Sequence, residues 1–348
     1  MRLFHTGLEA GTLDIFPDVV GSPEISSVRA RTGERSLYFS GEGIQRVLLP
    51  INSTVLGYEM YFRMYMFVEN LPTSAQTIVF FPGASYYNLY LLVKLMPDGR
   101  ILMYEHYLYG YSYYSTKTIE LNKWFRLEVG VAMYAVDGVL EVRINGETFV
   151  SRTGNTRRRR SGIESRIFGI VIGSPWYIPS DTYETNTLSF YADDIAVNDY
   201  VGDKNNSWIG DSFIYLMRPN GVGAYSQLTP VAGDNYSCVS DESESTYVST
   251  SDPNKIDTYS IEEPDYDSPI GTVTSAQISY KIRTAENRSG KLLSAPVIKT
   301  GSGEYVGNDK GITMEYLYER EVLEEDPTTN EDWTLTKIKN MEIGVKSK

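Results

Sequence analysis

Apolar and polar side chains alternate with a period of two along most of this sequence, and no segment sustains the 3.6-residue period of an amphipathic helix. In residues 58–68, Met and Phe occupy every second position, while Glu59 and Arg63 fall between them together with tyrosines. Residues 124–133 and 140–144 repeat the alternation. The second run ends at Asn145-Gly146, a dipeptide typical of two-residue hairpin turns because both turn positions take positive φ. The sequence therefore predicts an all-β fold.

Strand-like runs recur about every ten residues with Gly, Pro and Asn between them, a spacing typical of sandwiches and jelly rolls. Two consecutive β-sandwich domains account for the 348 residues. The first domain is predicted over residues 1–200, and the polar, turn-rich residues 201–208 form a linker. The second domain is predicted over 209–348, with a strand at 212–217, a long acidic loop at 240–268 and a short helical turn at 333–340.

Charge is distributed unevenly along the chain. Residues 1–206 carry 19 basic and 22 acidic side chains, whereas residues 207–348 carry 13 and 23. The total of −13 argues against a nucleic-acid partner, since phosphates would be repelled. No apolar window is long enough for a transmembrane helix, and the N-terminus lacks the apolar run of a signal peptide. The single cysteine, Cys238, forbids an internal disulfide and fits synthesis in a reducing cytosol.

Residues for catalysis are scarce. His5 and His106 are the only histidines, which disfavours histidine-based acid–base chemistry. A glycoside hydrolase of jelly-roll type needs carboxylates at alternate strand positions that project into one cleft, and no such cluster occurs. Asp193 and Asp194 are adjacent, so on a regular strand they would point to opposite faces. The sequence predicts a protein that is not an enzyme and needs no cofactor, with calcium as the one candidate ion.

Three segments of the first domain resemble concanavalin A-like and laminin-G-like jelly rolls. Residues 32–39 (Thr-Gly-Glu-Arg-Ser-Leu-Tyr-Phe) are similar to an early strand of that family, and residues 124–128 (Trp-Phe-Arg-Leu-Glu) to a central one. Residues 191–199, which contain Asp-Asp-Ile-Ala-Val, are similar to its closing strand. The resemblance implies that the first domain is a concanavalin A-like jelly roll.

The rest of the chain resembles a module that is fused to such jelly rolls in structural proteins of tailed bacteriophages. The similar segments are Ser207–Asp211, Pro219–Gly221, Val239–Glu242, Thr246–Val248 and Glu342–Val345. The resemblance implies a virion protein, tail-associated or capsid-decorating, made in the host cytoplasm. Its implied partners are other copies of itself, other virion proteins and host-surface glycans, without membrane insertion. The alternative is a polysaccharide-binding or glycoside-cleaving jelly roll.

Tyrosine is the most informative residue type, with 28 copies against 12 phenylalanines. Consecutive strand residues face opposite ways, so the tyrosines between residues 104 and 114 cannot all be core. Tyrosine offers a large contact area at a small cost in conformational entropy. The cluster is therefore predicted to contact another subunit or a glycan; a sheet face covered by a neighbouring subunit is the simpler of the two. Its members are Tyr86, Tyr87, Tyr104, Tyr107, Tyr109, Tyr111, Tyr113 and Tyr114.

Two charged groups complete the candidate sites. The basic run Arg157, Arg158, Arg159 and Arg160 lies between glycines and is predicted to dock on an acidic surface, such as the second domain of a neighbouring copy. A solvated loop is an equal alternative. Asp193, Asp194 and Asn198 supply the oxygen atoms that calcium prefers, although their spacing fits no defined calcium loop. Solvated acids are the alternative at these positions.

Overall fold

The computed structural model describes residues 1–51, 58–83, 89–105, 110–156, 167–175, 187–263, 271–285 and 292–348. The chain divides into two compact units, Met1–Ile214 and Tyr215–Lys348. Strands dominate both units. Within the described residues, helix is limited to a 3₁₀ turn, Tyr236–Cys238, and α1, Leu335–Lys339. The prediction of an all-β chain of consecutive sandwiches is confirmed, and α1 lies inside the predicted helical turn.

The first unit is a two-sheet sandwich. Within the described residues, one sheet has eight strands in the order β13-β12-β11-β6-β15-β4-β3, with β1 also paired to β15, and the other has seven in the order β10-β9-β8-β7-β14-β5-β2. The strands are β1 Arg2–Thr6, β2 Asp18–Val20, β3 Glu24–Ser26, β4 Ser36–Phe39, β5 Arg46–Leu48, β6 Glu59–Val68, β7 Gln76–Pro82, β8 Leu89–Leu95, β9 Arg100–Glu105, β10 Tyr111–Thr118, β11 Trp124–Ala132, β12 Gly138–Ile144, β13 Glu147–Gly154, β14 Val171–Gly173 and β15 Phe190–Asp199.

The core between the two sheets follows the sequence alternation. Met60, Phe62, Met64 and Met66 on β6 are fully buried. Phe62 meets Phe81 of the second sheet edge to face, with ring centroids 6.5 Å apart. Burying side chains of this size contributes roughly 1.5–3 kcal/mol each. The hairpin between β12 and β13 turns at residues 145 and 146, with φ values of 52° and 85°, as the Asn-Gly dipeptide predicts.

The other face of β6 departs from the alternation. Arg63, which the alternation places on the face opposite the Met and Phe side chains, is fully buried there. It is covered by residues 207–214, here called the strap, which lie across the outer face of the eight-stranded sheet. The first unit consequently extends to Ile214, whereas the sequence predicts a domain end at 200 and a linker at 201–208. Residues 212–217, predicted as a strand, contain no strand.

The second unit has a six-stranded sheet, in the order β16-β19-β27-β21-β22 with β23 also paired to β21, and three two-stranded pairs, again within the described residues. Its strands are β16 Pro219–Ser226, β17 Thr229–Pro230, β18 Val248–Ser249, β19 Ile256–Ile261, β20 Ala276–Ile282, β21 Leu293–Thr300, β22 Gly303–Val306, β23 Lys310–Gly311, β24 Leu317–Leu323, β25 Glu325–Asp326, β26 Glu331–Asp332 and β27 Glu342–Ser347.

The core of the second unit joins the β20–β24 pair to the large sheet and to α1. Ile278, Ile298, Trp333 and Ile338 form this buried cluster. The Trp333 indole also donates to the Leu323 carbonyl at 2.9 Å. A polar side chain that finds its partner inside the core costs little to bury.

The prediction of an acidic loop over residues 240–268 is wrong for Ile256–Ile261, because these residues form β19, an inner strand of the large sheet. The acidic residues of this segment suggested an exposed loop, but Asp257 is fully buried within the strand. Its carboxylate accepts hydrogen bonds from the backbone N–H groups of Gln227 and Leu228 and from the side chains of Asn235 and Tyr259. Buried polar groups are tolerated when satisfied in this way.

Candidate functional site

Strand β10 carries the exposed part of the predicted tyrosine cluster. It is the terminal strand of the seven-stranded sheet, and most of its side chains reach solvent. Tyr111 and Tyr114 are 45% and 47% exposed. These two side chains, which lie on opposite sides of the same terminal strand, are here together called the tyrosine surface. The Arg100 guanidinium lies 5.3 Å from the centroid of the Tyr114 ring, within the range of a cation–π contact.

The remaining described tyrosines of the cluster have structural partners. The Tyr113 hydroxyl accepts a hydrogen bond from Arg152 Nε at 2.9 Å, where β10 approaches β13. Tyr104 packs against a row of buried apolar side chains that crosses the sheet: Leu48, Phe80, Leu92 and Val171. Tyr86, Tyr87, Tyr107 and Tyr109 lie outside the described residues, as do Arg157, Arg158, Arg159 and Arg160.

Asp193 and Asp194 do not point to opposite faces as predicted. Asp194 has φ of +47°, and the pairing of β15 with β6 shifts register at this position, so the strand is bulged. The bulge brings both carboxylates to the loop that follows β3. Asp193 Oδ2 accepts from the Arg31 backbone N–H at 2.8 Å, and Asp194 Oδ2 accepts from Arg31 Nη1 at 2.7 Å and from the Thr32 hydroxyl at 3.1 Å.

The two acids belong to a buried ionic network that holds the strap. Arg63 donates to the Asp194 carbonyl at 2.8 Å and to the Ser212 carbonyl at 2.9 Å. Asp194 Oδ1 accepts from the strap N–H of Ile214 at 2.7 Å, and Glu128 Oε1 accepts from that of Gly210 at 2.8 Å. Sheet side chains thus satisfy the strap backbone, which pairs with no strand among the described residues.

An aromatic socket holds the start of the strap. The Trp208 ring lies against Gly130 on β11, where an added Cβ would come within 2.7 Å of the indole. Tyr61 meets the same ring edge-on at a centroid distance of 5.3 Å, and the Arg143 guanidinium lies 3.8 Å from its centroid. Gly130 is therefore required for its lack of a side chain.

The network supplies no site for calcium in the predicted form. Asn198 points elsewhere: its amide oxygen accepts from Arg2 Nε at 2.6 Å and its amide nitrogen donates to the Ser207 carbonyl at 2.9 Å. Asp193 and Asp194 direct their oxygens to protein donors instead. Across the part of the chain that the structure describes, no three His, Cys, Asp or Glu side chains gather closely enough to hold a metal ion.

The electrostatics of the network follow from burial. Loss of hydration, reinforced by the neighbouring Asp194 charge, raises the pKa of Asp193 to about 8. Loss of hydration and the charges of Arg2 and Arg63 lower the pKa of His5 to about 3. His5 is therefore neutral at physiological pH. His106 lies outside the described residues.

The shifted pKa values predict a pH dependence of stability. Between about pH 4 and 8, Asp193 keeps its proton in the folded protein but has lost it in the unfolded chain. The free energy of unfolding therefore falls as pH rises through this range, by about 1.4 kcal/mol per pH unit. The lowered pKa of His5 makes the free energy of unfolding rise with pH between about pH 3 and 6.5, so the two contributions offset each other where the ranges overlap. Between pH 6.5 and 8, the free energy of unfolding should fall by about 2 kcal/mol.

Urea unfolding of the wild type and of Asp193→Asn at closely spaced pH values checks this expectation. The variant cannot ionise at position 193, so its stability should be nearly flat between pH 6.5 and 8. Equal slopes for the two proteins would show that Asp193 is already ionised in the folded state at pH 6.5.

Sequence reasoning missed the basic members of the network and its outermost acid. Arg31, Arg63 and Asp211 were not named as site residues from the sequence. In the structure, Arg31 Nη2 lies 2.9 Å from the Asp211 carboxylate. The signal available was an arginine in the middle of an apolar strand, opposite Glu128 on the neighbouring predicted strand. A strand face with paired opposite charges does not by itself predict what covers it, because either water or another segment of the chain can satisfy those charges.

Comparisons with known proteins give similarities of fold only. No family model matches the sequence, and no curated protein matches it. The structure is similar to the cellulose-induced protein Cip1, with 13% identity, a TM-score of 0.44 and coverage of 60% of this chain and 100% of the other. It is also similar to the PL-14 alginate lyase from Aplysia kurodai (13% identity, TM-score 0.42, coverage 57% and 98%) and to domain 4 of the GH43 arabinanase AbnA from Geobacillus stearothermophilus (15%, 0.40, 56% and 91%). Similarity at this level says nothing about activity.

No helix among the described residues is long and apolar enough to cross a bilayer.

Proposed function

We propose that this chain is a non-enzymatic structural protein of a tailed-phage particle, which acts through contacts made by its sandwich surfaces. The tyrosine surface is the observation that carries the proposal. Two large aromatic side chains are nearly half exposed on a terminal strand. A partner that covered them would remove their apolar surface from water, which favours binding. The sequence resemblance to phage structural proteins supplies the biological setting.

The buried acids support a non-catalytic role. Asp193, Asp194 and Glu128 all direct oxygens to donors from the strap or the Arg31 loop, and all are almost fully buried. A hydrolase of this fold needs a carboxylate pair open to a sugar-sized cleft. Carboxylates that hold the chain together are not available for that task.

The proposal predicts that particles purified from a lysed culture contain the chain, detectable by mass spectrometry. Complementation with the double variant Tyr111→Ala, Tyr114→Ala should reduce its incorporation about thirtyfold, because two truncated contact residues each cost on the order of 1 kcal/mol. Tyr200→Ala is the matched control, since that side chain is 42% exposed in the first unit but lies outside β10. Particles that lack the chain, or unchanged incorporation of the double variant, would contradict the proposal.

Glycan binding is the second candidate function, favoured by the Arg100–Tyr114 contact. An exposed aromatic ring stacks on the apolar face of a sugar, and a neighbouring guanidinium donates to its hydroxyl or carboxylate oxygens. A glycan array probed with the full chain tests this. Binding that disappears in the same double variant, together with absence from particles, would favour an independent glycan-binding protein.

A further inference from the structure

The β20–β24 pair of the second unit presents a basic and aromatic outer face. One side of the pair packs into the core through Ile278. By alternation, the opposite side carries Gln277, Ser279 and Lys281, continued by Arg283, and on the partner strand Tyr318, Arg320 and Val322, preceded by Met314 and Tyr316. None of these residues is acidic, although residues 215–348 hold 13 basic and 22 acidic side chains.

Two cations of this face converge on one ring. Lys281 Nζ lies 4.9 Å from the centroid of Tyr316, and Arg283 Cζ lies 4.6 Å from it. Arg283 is exposed, and within the described residues no carboxylate comes within salt-bridge distance of its guanidinium. Burial lowers the pKa of Arg320 to about 10, which leaves that side chain charged at neutral pH. The neighbouring Met314 is 52% exposed.

An acidic segment of the same unit has complementary chemistry. Residues 241–252, here called the acidic segment, contain Asp241, Glu242, Glu244 and Asp252 and no basic residue. Glu244 Oε1 already contacts Lys281 Nζ at 2.6 Å, so a carboxylate of this segment reaches the basic face within one chain.

The intrachain contact brings a carboxylate to Lys281 but none to the exposed Arg283, among the residues that the structure describes. Arg218 lies 3.2 Å from the Ser240 carbonyl and 3.7 Å from Glu242, and so fixes the start of the acidic segment. Glu244 reaches Lys281 from this position, but the segment brings no carboxylate to Arg283. Asp241 and Tyr247 remain exposed on the segment.

We propose that the basic face of the β20–β24 pair binds the acidic segment of a second copy of this chain. Each copy carries both surfaces, so the contact is reciprocal in a dimer or repeats around a closed ring. The proposal adds a self-association surface to the assembly role proposed above, and it uses residues separate from the tyrosine surface. Because the contact adds the exposed Arg283 and exposed carboxylates of the acidic segment, it weakens as salt screens these charges.

Sedimentation velocity of the full chain at about 50 mM and 500 mM NaCl tests the proposal. We expect self-association at low salt that weakens about tenfold or more at high salt, and a similar loss at low salt in Arg283→Glu. Lys123→Glu is the matched control: it makes the same change in charge at a side chain that is 70% exposed in the first unit, and it should associate like the wild type.

A charge exchange identifies the partner. Arg283→Glu mixed with Glu244→Lys should form a mixed complex more tightly than either variant associates with itself. A chain that is monomeric at low salt, or an Arg283→Glu variant that associates normally, would overturn the proposal. So would binding of polygalacturonate through Arg283 by a chain that stays monomeric. Retained self-association in the double tyrosine variant separates this contact from the proposed particle contact.

Discussion

Replacement of Arg63 by alanine is expected to lower the free energy of unfolding of the first unit by about 3–5 kcal/mol, because it leaves buried charges and carbonyls without their partner. Arg63 is fully buried and donates to the Asp194 carbonyl and to two strap carbonyls, those of Gly210 and Ser212. Its removal also takes away one of the two positive charges, with Arg31, that lie beside the Asp194 carboxylate. The strap should then exchange its amide hydrogens much faster than β6 does.

Hydrogen exchange with mass spectrometry, combined with urea unfolding, measures both effects. Arg29→Ala is the matched control, because Arg29 pairs with Glu69 while both side chains are more than a third exposed, and its loss should cost less than about 1 kcal/mol. If Arg63→Ala and Arg29→Ala cost the same, the strap would not depend on the buried arginine.

In the second unit, Asp257→Ala is expected to cost about 3–4 kcal/mol, since it strands several buried donors at once. The carboxylate accepts from the N–H groups of Gln227 and Leu228, from the Asn235 amide and from the Tyr259 hydroxyl. Burial and the Asp257 charge together raise the pKa of Tyr259, which keeps the hydroxyl as a donor.

Exchange of the amides in β19 and β27 reports on this unit alone. Asp252→Ala removes an exposed acid from the same part of the chain and should change stability by no more than about 0.5 kcal/mol. An Asp257→Ala protein as stable as the Asp252→Ala control would show that solvent replaces the lost carboxylate without cost.

The elements that the sequence predicted correctly are those in which a local pattern is sufficient. The alternation of Met and Phe along β6 set its buried face, and Asn145-Gly146 set the turn between β12 and β13. The tyrosines of β10 were rightly expected to include exposed members, because one strand cannot bury both of its sides against one core.

The errors arose where one position depends on a distant one. Asp193 and Asp194 were assigned to opposite faces on the assumption of a regular strand, but a bulge at Asp194 turns both acids to the Arg31 loop. The sequence between residues 253 and 263 was assigned to a loop because of its acids, although donors far along the chain satisfy Asp257 inside a strand.

The amino-acid sequence by itself determined that this protein is a chain of sheets with one apolar side per strand, since side-chain direction alternates at every residue whatever the rest of the fold does. Only the tertiary structure decided what covers the other side. The strap is held by the buried charges of Arg63, Glu128 and Asp194, and no local pattern distinguishes a charge that faces water from one that faces another segment of chain. For Arg63 and Glu128, that distinction depends on contacts with residues more than 80 positions away along the chain.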